Sequence, residues 1–213
     1  MDITYLGHSC FRLKGKDVTL ITDPYWLALG SQPPRQPAQI VTVSHAHPGH
    51  SNTAAIDGQP RVLRGPGEYE VAGVAITGLP SFHDAEEGKK LGKNTIYLIV
   101  MEDLSFCHLG DLGHLLTPSL LQDLGKPDVL FVPVGGVNSL DSASAAETAK
   151  RLSPRVVIPM HYRSEAAPKL GSLNSFLKEM GAAAVAPRPR LPLTRANLPE
   201  KMEIVVLSSP LTP

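Results

Sequence analysis

The chain has 213 residues, and 20 lysines and arginines balance 20 aspartates and glutamates, so its formal net charge is zero. This balance gives no support to nucleic-acid binding, which usually comes with a basic excess. No apolar run approaches the ~18 residues of a membrane span, and Met1–Tyr5 lacks the charged and apolar regions of a signal peptide. We therefore expect a cytoplasmic protein that needs neither membrane nor nucleic acid.

The length suits one domain with a substantial core, and we predict a single domain over residues 1–213. The two cysteines, Cys10 and Cys107, lie far apart in the sequence. One disulfide between them is an alternative, but two free thiols are the expectation for a cytosolic protein.

Short strands separated by turns dominate the first half of the chain. Apolar and β-branched runs predict strands at Ile3–Leu6, Cys10–Leu13, Val18–Thr22 and Ile40–Val43, the first three as an antiparallel meander. The proline-rich segment Tyr25–Ala38 is expected to be an irregular loop beside a site. Further strands are predicted at Arg61–Leu63, Tyr69–Val71 and Val74–Thr77, followed by a polar loop at Ala85–Asn94 and a hairpin of Thr95–Met101 with Leu104–Leu109.

The second half alternates strand and helix. Helices are predicted from Thr117-Pro118 to Leu124, over Ser142–Leu152 and over Ser172–Met180, each with a start or stop signal. Strands are predicted at Asp128–Val134, Val156–Pro159 and Glu203–Leu207, with a proline-broken connector at Pro187–Pro199. Helices packed outside two sheets are the layered α/β arrangement that this order suggests.

Three histidines follow the predicted strand Ile40–Val43 within the stretch Ser44–His50. His45 and His47 are two residues apart, so in extended backbone their side chains point the same way. Neutral imidazole is the commonest protein ligand for zinc-like ions. A histidine-rich surface loop is the plain alternative, but the cluster lies at a strand end, where α/β proteins place their sites.

Ligand chemistry recurs at three more strand ends, at Phe82-His83-Asp84, Leu109-Gly110-Asp111 and Pro159-Met160-His161. The ends of strands in one sheet system can converge on one edge. Imidazoles with one carboxylate and no thiolate are typical of a catalytic rather than a structural zinc site, because structural sites favour closed thiolate shells.

With these motifs in order, the chain resembles the metallo-β-lactamase fold superfamily, and more narrowly its small metal-dependent hydrolases related to the ascorbate-6-phosphate lactonase branch. The motifs that carry the resemblance are Tyr5-Leu6-Gly7-His8-Ser9-Cys10, Thr22-Asp23-Pro24, the histidine cluster, Gly65-Pro66-Gly67-Glu68-Tyr69, His108-Leu109-Gly110-Asp111 and Pro159-Met160-His161-Tyr162. The resemblance implies a four-layer αββα sandwich with metals at one edge between the sheets.

The resemblance also implies roles for single residues. His45 and His47, with His83 as the third histidine, match the ligands of one metal, Asp111 matches the bridging carboxylate, and His50 and His161 match ligands of a second metal. Asp111, His50 and His8 are the expected catalytic residues. His8 would hold substrate or a developing oxyanion, with a turn histidine bonded to backbone as the alternative. The implied cofactor is one or two divalent ions, zinc first, with manganese or iron as alternatives.

Gly49 departs from the family pattern His-x-His-x-Asp-His, because it occupies the position of the aspartate. We expect weaker binding of the second metal, and we expect Gly49→Asp to raise its occupancy. Asp84 and Asp23 are candidates to compensate, the alternatives being a surface carboxylate and a turn former at a strand end. His108 and His114 are expected to be structural.

The function that follows is hydrolysis by a metal-bound hydroxide acting on a small ester, lactone, amide or phosphoester. The alternative is a catalytically weakened or non-catalytic metal-binding member of the fold, which Gly49 favours. The expected partner is a small-molecule substrate, with self-association into a homo-oligomer left open. Nucleic-acid processing would need a basic groove or an added domain, and the sequence indicates neither.

Overall fold

Two β-sheets lie face to face in the computed structural model, which describes residues 1–27, 30–182 and 184–209. The first sheet has the order β12-β1-β2-β3-β4-β5, formed by β1 (Asp2–Gly7), β2 (Cys10–Lys14), β3 (Thr19–Thr22), β4 (Ile40–Val43), β5 (Arg61–Arg64) and β12 (Leu191–Pro192). The second has the order β13-β11-β10-β9-β8-β7-β6, formed by β6 (Gly67–Val71), β7 (Val74–Phe82), β8 (Lys93–Met101), β9 (Leu104–His108), β10 (Val129–Pro133), β11 (Val156–Met160) and β13 (Glu203–Ile204).

The first sheet begins with the predicted antiparallel meander of β1, β2 and β3 and continues as the parallel strands β3, β4 and β5. All four residues of β4 are buried, as expected for an apolar strand covered on both faces. The strand β12 lies within the segment predicted as a proline-broken connector. It pairs Leu191 with Ile3 and closes the edge of the sheet beside β1.

The second sheet changes from antiparallel to parallel at β9. Strands β6 to β9 are antiparallel neighbours, whereas β9, β10, β11 and β13 run parallel. Three helices follow the predicted positions closely, at α1 (Pro118–Leu124), α2 (Ser142–Leu152) and α3 (Leu173–Glu179). The side chain of Thr117 caps α1 and that of Asp141 caps α2, each accepting a backbone N–H of the first turn.

Four layers result, and the predicted two-sheet α/β sandwich is confirmed. The central core lies between the sheets and includes Phe11 and Leu13 from the first and Phe106 and Phe131 from the second. The helices cover the outer face of the second sheet. Within the described residues, the outer face of the first sheet is covered by irregular chain and by a short 3₁₀ helix, Thr53–Ala55, rather than by an α-helix.

The outer cover of the first sheet includes part of the predicted loop Tyr25–Ala38, of which residues 28 and 29 lie outside the described residues. Tyr25 is fully buried there and donates a hydrogen bond to the carbonyl of Leu6. Cys10 and Cys107 are both buried and unpaired, as expected. Across the described residues, no helix combines the length and the hydrophobicity that crossing a bilayer requires.

Candidate metal centre

Five strand ends bring ligand side chains to one place between the sheets. The ends of β1, β4, β7, β9 and β11 deliver, respectively, His8, the cluster His45–His50, His83, Asp111 and His161. Strand ends can place these side chains accurately because the hydrogen bonds of the sheet fix the position of each strand, and so of the residues that directly follow it.

Asp111 is the hub of the cluster. Its Oδ2 lies 3.0 Å from Nε2 of His50, 3.3 Å from Nε2 of His161, 3.4 Å from Nε2 of His83 and 3.9 Å from Nε2 of His45. The Asp111 side chain is only 4 % exposed. One buried carboxylate oxygen therefore faces four imidazole nitrogens, an arrangement that suits a shared ligand of two cations.

Several of these atoms are buried without a hydrogen-bond partner. They are Nε2 of His45, Nδ1 of His83, Nδ1 of His8 and Oδ1 of Asp111. Buried polar atoms are normally satisfied, and leaving one unpaired costs on the order of 1–3 kcal/mol. A bound cation would satisfy most of them together, so the donor set fits a divalent metal better than it fits a hydrogen-bonded core.

The ligand atoms fall into three overlapping groups whose members lie within 4.8 Å of one another. The groups are His45 with His83 and Asp111, His45 with His47 and His50, and His8 with His50 and His161. The first group holds most of the predicted first metal site, and the third holds both histidines of the predicted second site.

His47 differs from the other histidines of the cluster because it is exposed. Its Nδ1 accepts a hydrogen bond from the backbone N–H of Gly49 at 3.1 Å, which leaves Nε2 free. His47 has no ion-pair contact with Asp111 among the described residues, in contrast to His45 and His83. Its role as a ligand of the first metal stays a prediction.

Buried carboxylates and imidazoles alter one another's protonation in the cluster. Burial lowers the pKa of His45 to about 3 and that of His161 to about 4, so both rings are neutral, the form that binds metals. Although burial opposes it, contact with Asp111 and Asp23 raises the pKa of His50 to about 10. Burial likewise opposes ionisation of Asp111, yet His161 and His50 hold its pKa well below 3.8.

Asp23 orients two of the candidate ligands from behind. Its Oδ2 accepts a hydrogen bond from Nδ1 of His50 at 2.9 Å, which directs Nε2 of that ring towards Asp111. The same oxygen accepts the hydroxyl proton of Ser44 at 2.5 Å. Ser44 Oγ also lies 3.0 Å from Nδ1 of His45. Because the Ser44 proton is already donated to Asp23, the Nδ1–H of His45 must be the donor in this contact. Nε2 of His45 then carries a lone pair that can bind a cation.

Asp23 therefore acts as an orienting partner, and neither of the two candidate carboxylates compensates for Gly49. Asp84 is only 8 % exposed, and its two oxygens accept backbone N–H groups of Glu86, Gly88, Lys90 and Leu91. These bonds, above all that from Leu91, lower the pKa of Asp84 to about 2. Asp84 organises the loop beside His83, so it is neither a compensating ligand nor the surface carboxylate that was the alternative.

Asn94 is a site residue that the sequence did not reveal. It is buried, and its amide donates to Ser81 Oγ at 2.8 Å and to the carbonyl of Leu109 at 2.9 Å. Its Oδ1 accepts the backbone N–H of Asp111 at 3.1 Å. No pattern marks it, because an asparagine at the end of a polar loop predicts a turn rather than a buried support.

His108 and His114 have structural surroundings, as predicted. His108 is fully buried, with Nε2 2.9 Å from the carbonyl of Ser9, and its Nδ1 accepts the N–H of Gly110. His114 Nε2 accepts the N–H of Phe82, and its Nδ1 lies 2.9 Å from the carbonyl of Leu115. Neither ring is in a ligand group among the described residues.

A cavity of about 1220 Å³ opens above the cluster. Most of its wall is apolar, with Phe82, Leu91, Val137 and Leu170 among the lining residues. Three exposed cations also line it, Arg64, Lys93 and Lys169, and Asp111 is the one carboxylate among the described lining residues. Within the described chain, none of the three cations forms an ion pair, so they are available to an anionic group.

Comparison with known proteins agrees with this geometry. The family described as "Beta-lactamase superfamily domain" matches residues 2–161. A UPF0173 metal-dependent hydrolase of Methanoculleus marisnigri is 31 % identical over 185 residues, covering 76 % of this chain and 81 % of the relative. A protein of the same description from Thermococcus onnurineus is 27 % identical over 190 residues, covering 76 % and 84 % of the two chains.

Among solved structures, a proposed Zn-dependent hydrolase of the metallo-beta-lactamase superfamily from Thermotoga maritima is similar over most of the chain. It superposes with a TM-score of 0.80 at 35 % identity and covers 97 % of each chain.

Proposed function

Because this chain belongs to the beta-lactamase superfamily, and because its strand ends join four imidazoles to one buried carboxylate, we propose that it is a metal-dependent hydrolase of small molecules. The observation that carries the proposal is the set of contacts from Asp111 Oδ2 to His45, His50, His83 and His161, at 3.0–3.9 Å. The cavity above these atoms provides space for a substrate.

Two metal positions fit the residues. His45, His83 and Asp111, with His47 beside them, would hold the first ion, and His50, His161 and Asp111 the second. When bound, divalent ions lower the pKa of a coordinated water to near 7 and polarise the bond that is cleaved. Zinc is the ion that this histidine-rich set favours, with manganese and iron as alternatives.

The residues of the chain supply orientation and binding. Asp23 and Ser44 hold the rings of His50 and His45 with their Nε2 atoms towards the cluster. The apolar wall excludes water from the bound substrate, which strengthens every electrostatic interaction inside the site. Arg64, Lys93 and Lys169 favour an ester, lactone, amide or phosphoester that carries a negative charge. The unpaired thiols of Cys10 and Cys107 support the cytoplasm as its location.

A paired substrate panel tests this function. Purified protein loaded with Zn²⁺, Mn²⁺ or Fe²⁺ is assayed on 4-nitrophenyl acetate, bis-4-nitrophenyl phosphate, a neutral lactone and its carboxylated analogue. We expect metal-dependent turnover, with a lower KM for the carboxylated lactone than for its neutral analogue. Binding of metal without turnover of any substrate would favour the alternative, a non-catalytic metal-binding member of the fold.

Variants of the ligands connect the activity to the site. His45→Ala and His161→Ala should each lower metal-dependent turnover at least about 100-fold, because each removes a ligand whose outer partners alone are worth about 10- to 100-fold. His114→Gln is the matched control, since this histidine lies outside the ligand groups. A variant that keeps both the wild-type rate and full metal loading would overturn the assignment.

A further inference from the structure

We propose that His8 is a direct ligand of the second metal position, beside His50, His161 and Asp111, and that Gly49 leaves the space its ring needs. This inference rests on the proposed metal-dependent function, and it changes the role of His8 from a contact to substrate to a contact to metal. Four observations support it independently of one another.

The backbone of His8 is anchored at the cluster. Its carbonyl accepts the hydroxyl of Tyr5 at 2.8 Å and the backbone N–H of His161 at 2.8 Å. The residue has φ of +56°, a left-handed conformation that non-glycine residues adopt only when their surroundings hold them there. The bond to His161, which joins the two sheets, therefore fixes the backbone from which the His8 ring extends.

The ring lies against the two histidines of the second site. Its centroid is 4.3 Å from that of His161 and 5.0 Å from that of His50. One nitrogen from each of the three rings lies within 4.8 Å of the others. Ligands of one zinc ion lie about 3–4 Å apart, because each Zn–N bond is about 2.0–2.1 Å. Small side-chain rotations would bring the three nitrogens to one ion.

The ring nitrogens of His8 are not used in hydrogen bonding. Nδ1 is buried without a hydrogen-bond partner, and across the described residues neither ring nitrogen makes a hydrogen bond. A turn histidine that supports the backbone through its ring would show such a bond, as His108 does to Ser9. His8 uses only its carbonyl for this purpose, so its ring is left for a ligand.

Gly49 makes room for this ring. A Cβ built on Gly49 would lie 3.0 Å from Nε2 of His8 and 3.2 Å from Nδ1 of His47. Gly49 is not among the glycines with positive φ, so its backbone conformation does not require glycine. A side chain at position 49 would therefore require the ring of His8 to shift by a few tenths of an ångström, and glycine leaves this ring the most room.

The exchange of a carboxylate for an imidazole keeps the number of ligands. In this proposal His8 supplies the ligand that is missing because position 49 is glycine. Asp23 and Asp84 do not supply it, since both are engaged in other hydrogen bonds. The second position then has three histidines and the shared Asp111, with one negative charge fewer than a site with an aspartate would have. Because this proposal gives wild type two ions already, Gly49→Asp alone should add no further ion, and the predicted rise in occupancy should be seen in a chain that lacks the His8 ring.

Metal content and cobalt spectra test the proposal without using turnover. Wild type, His8→Ala, Gly49→Asp and the double variant His8→Ala/Gly49→Asp are loaded with Zn²⁺ or Co²⁺, and metal per chain is measured by elemental analysis. We expect two ions in wild type, one in His8→Ala and two again in the double variant. His8→Ala should weaken the second ion at least about 100-fold, more than loss of an outer partner does.

The controls separate folding from ligation. His8→Asn tolerates a left-handed backbone and should also lose the second ion, whereas His114→Gln should keep both. Circular dichroism verifies that each variant is folded. If His8→Ala does not fold, the metal content of His8→Asn and of the double variant tests the ligand role of His8. The cobalt d–d spectrum should change in His8→Ala only in the component added with the second equivalent.

The outcomes distinguish this proposal from the proposed function. If His8→Ala and His8→Asn bind as many ions as wild type, with the same cobalt spectrum, the ligand role of His8 is overturned while the hydrolase proposal stands. If wild type binds only one ion, and the His8 variants bind that ion with unchanged affinity, the ligand role of His8 is overturned as well. If wild type binds no divalent ion, the metal-dependent function itself is contradicted.

Discussion

Asp23 shows how a single buried side chain prepares several ligands at once. It is fully buried, and it accepts hydrogen bonds from the backbone and hydroxyl of Ser44 and from His50. Burial, the largest single effect, would raise its pKa, but the bond from His50, the nearby His108 and the hydroxyl of Ser44 together keep the pKa below 3.8. The carboxylate is therefore ionised, and its charge sets the tautomers of the His50 and His45 rings, which are candidate metal ligands.

Replacing Asp23 by asparagine should keep the fold intact and weaken metal binding. Asp23→Asn keeps the shape but removes the charge that orients His50, so we expect Zn²⁺ affinity to fall about 10- to 100-fold. Competition with a chromophoric chelator measures the affinity. Asp57→Asn, at an exposed ion pair with Arg35, is the matched control and should bind Zn²⁺ as wild type does. An affinity unchanged in Asp23→Asn would show that Asp23 does not orient the ligands.

The segment that joins β9 to α1 places Asp111 through close backbone contacts. Gly110 precedes Asp111 with φ of +57°, and a Cβ there would collide with Oδ1 of Asn94 and lie 2.6 Å from Cβ of Ser44. Both glycine's freedom of conformation and its lack of a side chain are needed here. This close packing places the segment against the end of β4 and the start of β8, so that Asp111 lies beside the histidines of the cluster.

Gly110→Ala should destabilise the chain by about 2–4 kcal/mol, because it combines a left-handed backbone with a steric clash. Gly73→Ala is a closely matched control, since Gly73 has φ of +76° in the two-residue turn between β6 and β7, and no atom lies within 4 Å of the place that a Cβ would take. The control should cost only about 1–2 kcal/mol for the left-handed conformation. Urea unfolding measures both values. Equal losses in the two variants would show that the contact with Asn94 and Ser44 is unimportant.

The two sheets are held together by one shared aromatic core. Phe11 of the first sheet and Phe131 of the second have ring centroids 4.3 Å apart, and Phe131 also stacks on Phe106 at 6.5 Å. All three side chains are fully buried. Because the metal ligands come from both sheets, the geometry of the site depends on this packing.

Phe131→Ala should therefore cost about 3–5 kcal/mol by removing a buried ring and leaving a cavity. Hydrogen exchange should accelerate in both sheets together, as the single-domain prediction for residues 1–213 requires. Val100→Ala is the control, because Val100 is 44 % exposed, and it should change stability by less than about 1 kcal/mol. Acceleration confined to the second sheet would contradict the single-domain prediction.

Local pattern is enough to predict most elements and the membership of the cluster. The sequence predicts strand β4 and helix α2 with their observed bounds, because an apolar β-branched run and a capped, alanine-rich run each favour one conformation strongly. It does not predict the strand β12, since a two-residue strand among prolines has no local signal and exists only through its pairing with β1.

The sequence by itself determined which residues have the side-chain chemistry of metal ligands, because residue types and their positions at strand ends are local properties. Only the tertiary structure decided which side chains surround Gly49 and which residues support the cluster. The ring of His8, the hydrogen bonds of Asp23 and the amide of Asn94 reach the cluster from residues 17 or more positions away from the groups that they serve. Such contacts depend on how the two sheets pack together, and no short-range sequence pattern predicts contacts between residues so far apart in the chain.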